Sequence, residues 1–154
     1  MMGSKLQIRE YIPGDAASII RLHAQSEESF EELDLTEEFI DYIARRGDFC
    51  FHVATLDGSL IGFCGVLYYP SMGRSEIGPI AVDSKHRRAE AGKEMFDAAE
   101  TYLKERNIRR VTAKVKALNL GAIGFFISMG FVQEGFFREY TRKKEDVIQF
   151  VKFI

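Results

Sequence analysis

The sequence predicts a single α/β domain: one mixed, twisted sheet of about seven strands flanked by about four helices. Three observations carry that prediction. The hydrophobic period switches repeatedly between two and about 3.6 residues along the chain. The segments so marked run in the order β-α-α-β-β-β-α-β-α-β-β, which suits a sheet with helices on its faces. The length of 154 residues is that of one domain, and no repeat, linker or low-complexity segment divides residues 1–154.

Each element has a local reason. Leu6, Ile8 and Ile12 alternate with polar residues, the pattern of a strand, and Pro13-Gly14 ends it. Asp15 is the expected N-cap of a helix over Ala16 to Glu28. Thr36 is expected to cap a second helix with Phe39, Ile40 and Ile43 on one face and Gly47 closing it. Cys50 to Leu56 and Leu60 to Tyr69 are rich in strand formers and flank Asp57-Gly58, a strong hairpin signal. A strand over Glu76 to Val82 contains Gly78-Pro79, and the missing proline N–H predicts a bulge or splayed pairing there. Met95, Phe96, Ala99, Tyr102 and Leu103 form the stripe of a helix over Glu90 to Arg106, with Asn107 after it. Arg110 to Val115 is a strand, Asn119 to Met129 a helix capped by Asn119 and ended by Gly130, and Phe131 to Phe137 and Val147 to Phe153 are two last strands.

Composition narrows the function. Hydrophobic residues at 46% and charged residues at 29% are those of a soluble globular domain. The apolar stretch Leu60 to Pro70 is too short to span a bilayer, and residues 1–25 show no signal-peptide core, so a cytoplasmic protein without membrane attachment is expected. A net charge of −2 argues against a bulk polycation for nucleic acid. Arg109-Arg110, Lys114, Lys116 and Arg142-Lys143-Lys144 lack interleaved aromatics and read as solvated. Cys50 and Cys64 sit in apolar runs and read as buried, unpaired thiols. His23, His52 and His86 show no ligand spacing, so no metal is expected.

Two segments carry chemistry. The first is Ile80-Ala81-Val82 followed by Asp83-Ser84-Lys85-His86-Arg87-Arg88-Ala89-Glu90-Ala91-Gly92-Lys93 and a helix. The second is Asn119-x-x-Ala122-x-x-Phe125-Phe126-x-x-x-Gly130-Phe131. Their order, separated by one helix and one strand, resembles the GNAT superfamily of N-acetyltransferases, and the element string matches that family over nearly the whole chain. In that family an Ile/Leu-Ala-Val strand end leads into an Arg/Gln-x-x-Gly-x-Gly/Ala loop whose amides hold the pyrophosphate of acetyl-CoA. The resemblance therefore implies acetyl-CoA as cosubstrate and Ile80, Ala81, Val82, Arg87, Arg88, Ala89, Glu90, Ala91, Gly92 and Lys93 as its neighbours.

The physics of such a loop is general. A helix N-terminus presents unpaired N–H groups and partial positive charge, and small residues let phosphate approach. Arg87, Arg88 and Lys93 add charge, and Lys85 and His86 are within sequence reach of a 3′-phosphate. Glu90 stands where the family usually has its first glycine; it either turns outward or weakens cofactor binding. Asn119, by the resemblance, caps its helix and faces the pantetheine arm, with Phe126 packing beside it.

Acetyl transfer to an amine needs a proton acceptor, donors for the thioester oxygen, and help for the thiolate. The splayed strand at Gly78-Pro79 supplies a freed amide near Ile80 to Val82 and an edge along which pantetheine can pair. Glu76 is the candidate general base, on one face with Gly78 and Ile80 by the period of two. Many family members carry a tyrosine where Phe126 stands, so the acid is open; Tyr140, Tyr68, Tyr69 or unaided departure are the alternatives. Residues 27–38 hold seven acids and no base, which either forms a solvated face or draws a cationic acceptor.

The leading expectation is an acetyl-CoA-dependent N-acetyltransferase acting by direct attack in a ternary complex. Its acceptor is expected to be a small-molecule or protein amine, and a homodimer is plausible from the strand edges. The alternative is a GNAT-like module that binds acyl-CoA without catalysis, for which Glu90 and Phe126 are the reasons.

Overall fold

The structure, a computed structural model, describes residues 5–26, 34–86 and 90–154. Seven strands form one sheet in the order β1-β2-β3-β4-β5-β7-β6. They are β1 (Leu6–Glu10), β2 (Phe49–Leu56), β3 (Ser59–Tyr69), β4 (Arg74–Val82), β5 (Arg110–Lys116), β6 (Val132–Phe137) and β7 (Val147–Phe153). The helices are α1 (Ala16–Gln25), α2 (Glu37–Ala44), α3 (Ala91–Lys104) and α4 (Leu120–Ser128). Every strand pair is antiparallel except β4–β5, the pair joined through the crossover helix α3.

Several local expectations hold at atomic detail. Asp57 and Gly58 both take positive φ, 50° and 85°, as a two-residue hairpin turn requires. Thr36 Oγ1 accepts the Phe39 N–H at 3.1 Å, and Asn119 Oδ1 accepts the Ala122 N–H at 3.1 Å. Asn107 (φ 61°) and Gly130 (φ 93°) leave their helices in the left-handed region. Two expectations are corrected. Asp15 precedes α1 but does not cap it, because its carboxylate is already spent on the Ile12 N–H and on a two-pronged bond from Arg9. Gly47 does not close α2, which ends at Ala44 with Arg45 still right-handed.

The sheet buries both faces. Cys64, Val66, Tyr68 and Ile77 pack under α3 with Met95, Phe96, Ala99 and Leu103. Phe51, Val53, Phe63 and Ala81 pack under α1 and α2 with Ile19, Leu22 and Ile40. Both cysteines are free and buried, and burial pushes each thiol up to about 12, which excludes a reactive thiolate at neutral pH. Among the described residues no helix is long and apolar enough to cross a membrane, and no group of His, Cys, Asp or Glu could hold a metal ion.

His52 couples this core to pH. It is buried on β2, edge-on to Tyr102 at 5.4 Å, and burial holds its imidazole below the usual value despite Glu10 nearby. The unfolded chain takes up a proton near pH 6.5 that the folded chain refuses, so stability is full above that pH and falls below it. The slope from one such group cannot exceed about 1.4 kcal/mol per pH unit. Thermal unfolding from pH 7.5 to 5 should show this loss, and His52→Gln should flatten it; an unchanged slope in the variant would refute the assignment.

Candidate active site

The site begins with a fault in the sheet. The β4–β5 ladder runs from Arg74↔Arg110 to Ile77↔Ala113 and stops. Beyond it β4 stays with β3, through Ile80↔Cys64, Ala81↔Phe63 and Gly62↔Val82, while Lys114, Val115 and Lys116 stay with β7. On the β3 side the register skips between Val66↔Ile77 and Cys64↔Ile80, so Gly78-Pro79 bulges opposite Gly65. The splay expected at the proline is present, and a gap opens between the two central strands.

The bulge also corrects one detail. With two β4 residues set against one on β3, the period of two is broken. Glu76 pairs with Leu67 and shares the α1–α2 side with Ala81, whereas Ile80 pairs with Cys64 and shares the α3 side with Ile77. Glu76 and Ile80 therefore project from opposite faces and meet only at the gap.

Two clefts meet there. One, of about 620 Å³, opens toward α3 and α4 and is lined by Ile80, Val82, Glu90, Gly92, Lys93, Asn119, Gly121, Ala122, Phe125 and Phe126 among others. The second, of about 370 Å³, opens toward α1 and the β6–β7 turn; it is lined by His23, Glu76, Ile77, Gly78, Pro79, Lys114, Lys116, Tyr140 and Thr141 among others. They share Ile80, Asn119, Ala122 and Phe126, so they adjoin at the gap.

The first cleft has the features of an anion cradle. The first bond of α3 runs from the Glu94 N–H to the Glu90 carbonyl, so the N–H groups of Ala91, Gly92 and Lys93 precede the ladder. Gly92 is buried, and a Cβ there would lie 2.9 Å from Phe125 Cε1, so glycine keeps this wall open. Glu90 sits exposed just before the helix, makes no capping bond, and lines the cleft rim. The small residues and the amides that precede the helix ladder fit a diphosphate, and among the described lining residues Glu90 is the one unfavourable group.

Of the residues expected to touch the cofactor, Ile80, Val82, Glu90, Gly92, Lys93, Asn119 and Phe126 line this cleft. Ala81 does not: it faces the α1–α2 core, as strand alternation demands. Ala91 is buried in the α3 core and offers only its main chain. Arg87, Arg88 and Ala89 lie outside the described residues. Lys93 is held at 3.0 Å by Asp97, one turn along the helix. The Lys85 main-chain N–H donates to Asp83 Oδ1 at 2.9 Å, His86 Nδ1 lies 3.7 Å from the same oxygen, and neither residue lines the cleft.

In the second cleft Glu76 and Tyr140, the candidate base and acid, do come together. Three ionisable lining residues went unforeseen. His23 is buried near the end of α1, a lone histidine with no partner pattern in the sequence. Lys114, expected to be solvated, bonds Glu76 Oε1 at 2.7 Å across the gap, and Lys116 lies beside it. Asp34, Glu37 and Glu38, the described part of the acidic run, line neither cleft; Glu27, Glu28, Glu31 and Glu32 lie outside the described residues.

Phe126 is buried where the two clefts join, edge-on to Phe125 and Phe131 and stacked with Phe150 at 6.3 Å. This packing gives it a structural role that needs no hydroxyl. Phe126→Tyr should leave turnover unchanged or lower; a large gain would show that the native site lacks a proton donor.

Comparison with known proteins adds independent findings. A sequence profile of the acetyltransferase (GNAT) family matches residues 16–131. A Bacillus subtilis protein named as a candidate ribosomal protein bS18-alanine N-acetyltransferase is 32% identical over 94 residues. That match covers 60% of this chain, and the chain spans 60% of that relative's length. Ard1 from Thermoplasma volcanium superposes with a TM-score of 0.84 at 28% identity, covering 97% of each chain. A ribosomal-protein-alanine N-acetyltransferase from Brucella melitensis superposes with a TM-score of 0.83 at 19% identity, covering 96% of this chain and 99% of its own, a likeness of fold.

Proposed function

This chain belongs to the acetyltransferase (GNAT) family, and from that premise we propose that it moves an acetyl group from acetyl-CoA to a primary amine by direct attack in a ternary complex. The observation that carries this reading is the gap where β4 and β5 part, at which a cleft holding the start of α3 meets a cleft with ionisable lining. Acetyl-CoA, when bound, supplies an activated thioester. The N–H groups of Ala91, Gly92 and Lys93 hold its diphosphate, and Ile80, Val82, Asn119 and Ala122 border the narrow stretch where its arm lies. The main chain of Ile80, past the end of the β4–β5 ladder, stabilises charge developing on the thioester oxygen. Glu76 takes the proton of the acceptor amine, directly or through one water, and Tyr140 is the candidate donor to the departing thiolate.

The names of the relatives support a protein amine as acceptor. They also favour work in the cytoplasm. A homodimer remains part of the proposal: β6 is the outer strand of the sheet, with Val132 and Phe136 exposed along it.

Thermal unfolding with and without acetyl-CoA tests the reading. A ligand at 100 times its Kd should stabilise the fold by about 2.7 kcal/mol. No shift with acetyl-CoA, CoA or longer acyl-CoAs would overturn it. A shift without thioester consumption across a panel of amines would instead favour an acyl-CoA-binding module.

A further inference from the structure

The acceptor cleft holds a primary amine of the protein's own. Glu76 lies opposite Thr112, and Lys114 follows Thr112 by two positions, so both side chains project from one face of the sheet. Lys114 is the first β5 residue past the last β4–β5 bridge, and on its other side it pairs with Gln149 of β7. Across the gap Lys114 Nζ donates to Glu76 Oε1 at 2.7 Å. Both residues line the cleft, and Lys114 is exposed. The second lysine of the lining, Lys116, is held by Glu145 at 3.2 Å, a carboxylate outside that lining.

Under the proposed reaction this pair has a chemical meaning. An amine that gives its proton directly to Glu76 must stand within hydrogen-bond reach of that carboxylate. Lys114 Nζ already stands there. The thioester carbon must come within reach of the same place, because the acceptor amine attacks it from there. Lys114 ends in a compact ammonium on a four-carbon stem with rotatable bonds, so Nζ can leave the carboxylate and turn to that carbon. A tethered amine needs no separate binding step, which gives it an entropic advantage over a dissolved acceptor.

We propose that Lys114 is a self-acetylation site: with acetyl-CoA bound and no acceptor seated, the chain moves the acetyl group onto its own Lys114 Nζ. Glu76 takes one proton from the ammonium, and the neutral amine attacks the thioester carbonyl carbon. The C–N bond forms and the C–S bond breaks. The second proton lost by the nitrogen goes to the departing sulfur, leaving an acetylated lysine, the thiol of CoA and a protonated Glu76. The acetylated side chain carries no charge, so its ion pair with Glu76 is gone, and the added group takes up part of the acceptor cleft. The inference rests on the acetyltransferase reading and adds to it a modification of the protein itself.

The test incubates the wild type, Lys114→Arg and Glu76→Gln with saturating acetyl-CoA and no added amine. Acetyl groups on the protein are counted by intact mass and located by peptide mass. In the wild type Lys114 should be acetylated about 100-fold faster than any other lysine of the chain, the size of effect a positioned general base supplies. Its rate constant should not change when the protein is diluted. Lys114→Arg should gain no fast acetyl group, and Glu76→Gln should slow Lys114 to the pace of the other lysines. Both variants should keep the thermal shift that acetyl-CoA induces, which separates lost modification from lost binding. Acetyl groups spread evenly over the lysines, a rate that falls on dilution, or Lys114 modified as fast in Glu76→Gln would each overturn the proposal. Acetylation of an added amine with Lys114 untouched overturns this inference and leaves the acetyltransferase reading standing. No acetyl transfer to Lys114 or to any of a panel of amines, with acetyl-CoA still stabilising the fold, overturns both.

Discussion

Gly92→Leu should weaken acetyl-CoA binding about 100-fold while leaving the fold standing. Gly92 is buried in the first turn of α3 and forms part of the cradle wall. Even a single added carbon would sit 2.9 Å from Phe125 Cε1 and 3.4 Å from Cζ. Phe125 has little room to withdraw, because its ring is edge-on to Phe126 at 5.3 Å and Phe126 is locked in turn against Phe131 and Phe150. Either the ring or the new side chain must enter the cleft. Stability should change little: leucine gains up to about 1 kcal/mol over glycine as a helix former, against about 1–3 kcal/mol for overpacking. The expected result is a melting temperature close to wild type with the ligand-induced shift gone and a Kd raised by about 100-fold, some 2.7 kcal/mol. Gly92→Ala should fall between. Leucine-variant binding as tight as wild type would mean that the cofactor lies elsewhere.

Gly65→Ala should be the most damaging single-carbon change in the sheet. Its Cβ would lie 2.8 Å from Phe49 Cζ, 3.1 Å from the Gly78 carbonyl oxygen and 3.2 Å from Phe51 Cε1. The two rings are packed edge-on at 4.8 Å, and Phe51 is 2% exposed, so it cannot swing aside into solvent. The third neighbour is main chain, at the bulge that parts β4 from β5. The expected cost is about 1–3 kcal/mol, or roughly 3–10 °C in melting temperature for a chain of this size. Because Gly78 must give way, the gap changes shape too, and kcat should fall even at temperatures where the variant is fully folded. A loss of stability with unchanged kcat would show that the bulge does not set the site.

How much of this was legible in the sequence follows from the range of the forces involved. Short-range signals read well. Asp57-Gly58, Thr36 and Asn119 act on neighbours two or three residues away, and each does what its chemistry predicts. Gly78-Pro79 was readable because a missing N–H disrupts any ladder it enters. Asp15 was misread because its partner Arg9 lies on a different element, and a side-chain pair outcompeted the helix N–H groups for it. Lys114 is exposed on its strand, as expected, but its bond to Glu76 went unread because it depends on the register of β5 against β4, which no local pattern encodes. The shared face of Glu76 and Ile80 failed for a related reason: one inserted residue inverts the parity of everything beyond it. Gly65 was beyond the reach of pattern, since only the facing rings explain why it lacks a side chain, and Gly92 was legible as a small residue beside the expected phosphate but not as the one that Phe125 faces.

The meeting of the two clefts has a consequence for traffic. Asn119, Ala122 and Phe126 border both, while α3 borders only the first, and His23 of α1 and the β6–β7 turn border only the second. Under the proposed reaction, donor and acceptor arrive from separate sides and need not queue behind each other, and the spent carrier can depart while the modified partner is still seated. Initial-rate lines at varied concentrations of both should intersect rather than run parallel, and neither product should have to leave first.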